Sequence, residues 1–122
     1  MNNLTPAGRN LLKILLPYLS EVTVRGDYVK NCPTYTQVLK KVIPTWTPMP
    51  GDNAGRLLQV HGLNDLAEWT KSNGYPAITG LIVRQETGDP GEGYYELIAN
   101  SPIQGWAENI KQSKTYDWVK FL

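Results

Sequence analysis

The chain has 122 residues, 41% of them apolar, and its 12 basic and 11 acidic side chains leave a net charge of +1. That length suits one domain, residues 1–122, with its own core, and the composition excludes a disordered chain. The near-neutral balance, with basic residues scattered and only Lys40 and Lys41 adjacent, excludes a polybasic hold on nucleic acid or anionic lipid, while a single cysteine, Cys32, excludes an internal disulfide or a cysteine metal cluster.

In chain order, Thr5-Pro6 is a helix-start signal, with Thr5 as the cap and Pro6 in the first helical position. Leu11, Leu12, Leu15, Tyr18 and Leu19 then fall on one helical face, and Pro17, on the polar side, should end or kink the helix. Val22-Thr23-Val24 alternates and is β-branched, which predicts a short strand before Gly26-Asp27. Thr34 caps a second helix, Tyr35 to Ile43, which Pro44 stops. A proline-rich loop follows. Asp52 or Asn53 caps a third helix with Ala54, Leu57, Leu58 and Val60 facing inward and Arg56 and Gln59 outward. Gly62 predicts a break, and a fourth helix covers Asn64 to Asn73 before Gly74 and Pro76.

The run Ile78-Thr79-Gly80-Leu81-Ile82-Val83, the glycine-rich segment Glu86 to Gly93 and the run Tyr94-Tyr95-Glu96-Leu97-Ile98 together predict a β-hairpin with an acidic tip. Ser101-Pro102 repeats the cap-and-proline signal, so a C-terminal helix is expected from there through Ile103, Trp106, Ala107 and Ile110. The tail, Tyr116 to Leu122, reads as a short strand or a docked extended segment. Helices followed by a hairpin, with a further helix at the end, define the expected fold: α+β and winged-helix-like, the hairpin serving as the wing.

Catalytic chemistry is hard to place. His61 is the only histidine and Cys32 the only thiol, and His61 lies at a helix end among apolar residues, so a Cys–His nucleophilic pair is disfavoured. Asp65 and Glu68 are three apart on a helix, a spacing that commonly lines a solvated face. The glycines at 88, 91 and 93 lack the Lys-Ser/Thr ending of a phosphate loop and sit among Glu86, Asp89 and Glu92, which repel phosphate. The acids also miss the spacing of a calcium loop. The expectation is a non-catalytic protein without metal or cofactor.

The string Gly74-Tyr75-Pro76-Ala77-Ile78-Thr79, the apolar Leu81-Ile82-Val83 and the turn Thr87-Gly88-Asp89-Pro90-Gly91-Glu92-Gly93-Tyr94 resemble a motif of small bacterial and prophage proteins. In those, a Leu-Pro-Pro-Leu-Thr segment enters an apolar strand and a Thr-Gly-x-Pro-Gly-x-Gly-aromatic turn follows. Thr34-Tyr35 and the tail Tyr116-Asp117-Trp118 resemble further features of the same proteins. The chain departs from them in Ala77, where a second proline is usual, and in Asp89, where an apolar residue is usual. The resemblance implies a mobile-element or host-defence setting and carries no catalytic residue with it.

The functional expectation is a binding module, with nucleic acid the leading partner and a protein the alternative. In a winged-helix-like fold the third helix would read nucleic acid through Asn53, Arg56 and Gln59, types that recognise base edges, while Arg25, Lys30, Lys40 and Lys41 hold phosphates. In the alternative, the chain is a protein-binding inhibitor or regulator of a bacterial defence or transcription complex, docking through Glu86, Asp89 and Glu92. Four Trp and seven Tyr beside one Phe favour contact surfaces of this kind. The opening residues lack the pattern of a signal peptide, no segment is long enough to span a membrane, and a cytoplasmic setting is expected.

Overall fold

The computed structural model describes residues 3–122. Helix α1 covers Pro6–Leu19. Its start is the one read from sequence: Thr5 Oγ1 accepts a hydrogen bond from the Gly8 N–H at 3.1 Å, which satisfies one of the orphan donors of a helix N-terminus. Leu11, Leu12 and Leu15 are fully buried and Leu19 nearly so. Pro17 neither ends nor breaks the helix, which continues to Leu19. The ring is exposed, so the carbonyl it leaves without a donor lies on the side where water can replace the lost bond. At the other end, Lys114 Nζ donates to the Leu19 carbonyl at 2.6 Å and also to that of Val22, placing a cation at the negative end of α1.

The β-hairpin is real but lies elsewhere than expected. Strands β1 (Thr23–Arg25) and β2 (Tyr28–Lys30) pair antiparallel with Val24 opposite Val29, and Gly26 turns between them at φ +57°. Helix α2 (Tyr35–Val42) opens on a capping box: Thr34 Oγ1 accepts from the Gln37 N–H, and Gln37 Oε1 accepts from the Thr34 N–H. Helix α3 is a single short segment, Ala54–Leu58, capped by Asn53. It runs into a widened turn, Gln59–Leu63, and then into α4, Asn64–Asn73.

Gly62 marks the break anticipated from sequence, and the geometry explains why glycine is needed. Its φ is +121°, and a Cβ there would sit 2.4 Å from the Ala7 carbonyl oxygen of α1. Close approach and backbone conformation therefore both forbid a side chain. The widened turn also rotates the register, so Val60, expected to face inward, is 72% exposed. Helix α4 ends at Gly74 in the left-handed region.

The segment expected to form a winged-helix hairpin does not. Ile78–Leu81 is a 3₁₀ turn, and Glu92–Ile98 is helix α5. The β-hairpin thus precedes α2 to α5, and the winged-helix-like expectation, with its wing at residues 78–98, is overturned. Two physical causes account for this. The run Ala77–Val83 is buried throughout, and a short apolar run fits a buried irregular segment as well as a strand. Tyr94, Leu97 and Ile98 have the i, i+3, i+4 spacing of a helix face, and Tyr94 and Ile98 are buried together with Ala77. The β-propensity of Tyr94-Tyr95 gives way to this packing.

Side chains then lock the 77–80 segment in place. Tyr94 donates its hydroxyl hydrogen to the Ala77 carbonyl at 2.9 Å, and Trp106 Nε1 donates to the Gly80 carbonyl at 2.9 Å. A Cβ at Gly80 would lie 2.4 Å from the Tyr94 ring, so Gly80 allows the helix and the turn to touch. Burial drives the Tyr94 phenol pKa upward.

Helix α6 covers Trp106–Thr115, later than the Ser101-Pro102 signal predicts. Ser101 instead accepts a hydrogen bond from the Ile103 N–H in a local turn. The tail is docked, but it is neither a strand nor the extended segment expected: from Trp118 it turns into a 3₁₀ turn at Val119–Phe121. Trp118 is buried, with Nε1 donating to the Ser113 carbonyl at 2.8 Å. It joins Trp69, Tyr75, Tyr116 and Phe121 in an aromatic cluster in which Trp69 and Phe121 meet edge-to-face at 4.7 Å. Among the described residues no helix is long and apolar enough to cross a membrane.

Candidate functional site

A groove of about 840 Å³ gathers several of the residues singled out from sequence. One wall is the start of α2, with Tyr35. The second is the proline-rich loop carrying Trp46, Pro48 and Met49 together with α3. The third is the loop Arg84–Glu86. Loop and helix start are held together by an isolated parallel bridge between Thr34 and Val83: Tyr35 N–H donates to the Val83 carbonyl at 3.2 Å, and Val83 N–H donates to the Pro33 carbonyl at 3.0 Å.

The other walls are equally well framed. Asp52 Oδ2 accepts from the Met49 N–H at 3.0 Å, and the Asp52 N–H donates to the Met49 carbonyl at 3.0 Å. This closed turn holds Met49 66% exposed at the groove. The acidic loop closes on itself too. Arg84 N–H donates to the Asp89 carbonyl and Gly88 N–H to the Arg84 carbonyl, each at 2.8 Å, with Gly88 at φ +72°.

Electrostatically the groove is balanced. Arg56 and Arg84 line it beside Asp52 and Glu86. Arg84 Nη2 pairs with Asp89 Oδ1 at 3.1 Å, and Thr87 Oγ1 donates to the same oxygen at 2.7 Å. The Thr87 hydroxyl first, and the Arg84 guanidinium next, hold the Asp89 carboxyl below the usual carboxylate range. Hydrogen bonding to Asp89 raises the Arg84 pKa in turn. As an exposed pair it fixes loop shape more than it adds stability.

The structure sorts the residues singled out from sequence. Asn53, Arg56 and Gln59 line the groove, and Glu86 lines it as well, so residues assigned to two alternative functions share one surface. Asp89 bears on it through Arg84. Glu92 lies in the first turn of α5, outside the lining. Arg25 and Lys30 are exposed on the hairpin, Lys40 is exposed on α2, and Lys41 Nζ sits 4.7 Å above the Tyr18 ring; none of the four lines the groove.

Asn53 has a structural task, since its Oδ1 accepts the Arg56 N–H at 3.1 Å. Asn53→Ala should therefore cost about 1 kcal/mol. Asn53→Asp should keep nearly all the stability, because aspartate caps equally well. Urea denaturation of the two variants checks this, and equal losses would remove the capping role.

Tyr35, Trp46, Met49 and Arg84 are groove residues that the sequence reading did not select. A usable signal was present: Trp46, Pro48, Met49 and Pro50 put apolar side chains into a loop, where polar ones are the rule. The two groups considered for nucleophilic chemistry do not line the groove. Burial pushes the Cys32 thiol up to about 11, which leaves it a poor thiolate source at neutral pH. Among the described residues, no group of three or more His, Cys, Asp or Glu side chains could hold a metal ion. No family model, no curated protein and no solved structure matches the chain.

Proposed function

We propose that the protein is a non-catalytic protein-binding module that takes an extended segment of a partner into the groove between Tyr35, the Trp46–Asn53 loop and the Arg84–Glu86 loop. The observation that carries this reading is the lining itself: exposed Met49 and Pro48 with half-buried Trp46 and Tyr35, set among polar groups of balanced charge. Aromatic residues, Met and Arg are the types enriched where proteins meet, and a groove with an apolar floor and a polar rim is the usual anatomy. Walls tied by backbone hydrogen bonds lower the ordering cost of binding.

Nucleic acid is the weaker partner on three counts. The wing that a winged-helix mode needs is absent, α3 is a five-residue helix, and Asp52 and Glu86 stand beside the two arginines where a phosphate chain would run. The prophage resemblance of the turn motif would put the partner among bacterial defence or transcription complexes, in a cytoplasmic setting.

Selection from a random displayed peptide library tests the reading. Peptides should be recovered, and the combined change Pro48→Ala and Met49→Ala, at two exposed groove side chains, should weaken them about tenfold or more, with thermal stability nearly unchanged. Peptides that bind the double variant unchanged would contradict it. So would preferential binding of oligonucleotides that is lost in Arg56→Ala and falls steeply with salt.

A further inference from the structure

Next to the groove lies a second, more enclosed pocket of about 300 Å³. The two share Tyr35 and Gln59 in their linings, so they lie side by side. The chemistry of this pocket is one-sided. Glu68 is its only charged lining residue, and no lysine or arginine lines it. Among the described residues Glu68 makes no ion pair. The walls include the rings of Tyr35 and Tyr94 and the side chain of Leu97.

Thr79 also lines the pocket, and it is only 6% exposed. Its Oγ1 is buried and makes no hydrogen bond. A buried hydroxyl without a partner is costly, and the cost is recovered when a partner arrives.

We propose that this pocket receives the side chain of an arginine carried by the segment that binds the groove, an inference that rests on the peptide-binding reading above. The guest must be cationic, because the only ionised group is a carboxylate. It must also be rich in donors, because the Glu68 carboxylate and the Gln59 carbonyl oxygen can accept, and so can the Thr79 hydroxyl once it rotates from its buried position. An apolar stem packs along Leu97 and a planar cation lies against tyrosine faces. Arginine meets these demands better than lysine, since its guanidinium is planar, weakly hydrated and able to donate five hydrogen bonds. In the complex Thr79 Oγ1 turns toward the guest and gains its missing partner.

The test titrates ¹⁵N-labelled full-length protein with N-acetyl-L-argininamide, with N-acetyl-L-glutaminamide as the uncharged control. Saturable shifts at Thr79, Tyr94 and Leu97 are expected with the arginine probe alone. Glu68→Gln and Thr79→Val should each weaken them several-fold, and the two variants keep separate the loss of charge and the loss of the hydroxyl. Absence of shifts up to the solubility of the probe would overturn the proposal, as would equal shifts from the glutamine control. Its failure is distinguishable from failure of the groove reading. Groove peptides that bind without any arginine and leave Thr79 unshifted would sink the pocket proposal alone. Pocket shifts with the arginine probe, and no peptide selected, would sink the groove reading and with it the delivery of the arginine by a groove-bound segment, while the pocket's selectivity for arginine would stand.

Discussion

Leu15→Ala should destabilise the protein by about 2–5 kcal/mol, the range for removing a fully buried leucine from a core that relaxes only in part. Leu15 is 0% exposed on the inward face of α1. Its neighbours in the core include Leu11 and Leu12 of the same helix, Val38 and Leu39 of α2, Leu58 of α3 and Leu66 of α4. Helix α1 is the element around which α2, α4 and the widened turn pack, so a cavity there weakens several interfaces at once. Chemical denaturation should show a lower midpoint with an unchanged slope, the signature of lost stability without a change in the unfolding transition. An unchanged midpoint would remove Leu15 from the core and contradict the packing described here.

The second large effect is expected at a polar residue. Asn109 is 0% exposed on α6. Its Oδ1 accepts the Ala77 N–H at 2.9 Å, and its Nδ2 donates to the carbonyls of Ile103 at 3.0 Å and Gly105 at 2.7 Å. One amide thus satisfies backbone groups from the 77–80 segment and from the approach to α6. Asn109→Ala leaves them without that partner. Each buried group left unpaired costs about 1–3 kcal/mol, and water can reach some of them, so a total loss of roughly 2–4 kcal/mol is expected. Hydrogen exchange should localise the effect, with the Ala77 amide losing protection first. A small loss of stability, with that amide still protected, would show that the bond is not structural.

The helical part of the fold is largely legible in the sequence because its signals are local. Thr5-Pro6, Thr34 and Asn53 each cap the helix that follows them, and each cap makes its side-chain hydrogen bond. Gly62 and Gly74 stand at positive φ where the chain must turn. The failures occur where a distant contact decides. Residues 78–98 carry strand-like letters at both ends of a turn-like centre, and only burial of Tyr94 and Ile98 against Ala77 makes the second half helical. Asn109 has no local signature at all, since its task depends on residue 77. Likewise, Ser101-Pro102 reads as a helix start, yet α6 begins only at Trp106, after Gly105 at φ +84°.

The candidate site was legible only in fragments. The cap of α3, its polar face and the turn after it supply Asn53, Arg56 and Gln59, and the acidic loop supplies Glu86, but their sequence context points to rival functions. What unites them is the Thr34–Val83 bridge, a pairing between segments far apart in the chain that no local pattern announces. The same bridge brings Tyr35 to the junction of the groove and the Glu68 pocket.

The central claim, that the groove takes a segment of a protein partner, is tested most directly by mapping amide shifts of the ¹⁵N-labelled protein on adding a peptide selected against it. Binding in the groove predicts that the shifted amides cluster at Tyr35, from Met49 to Arg56, and from Arg84 to Glu86, and that the hairpin Thr23–Lys30 and the aromatic tail stay unchanged. Shifts confined to the hairpin or to the Tyr116–Leu122 tail would contradict it.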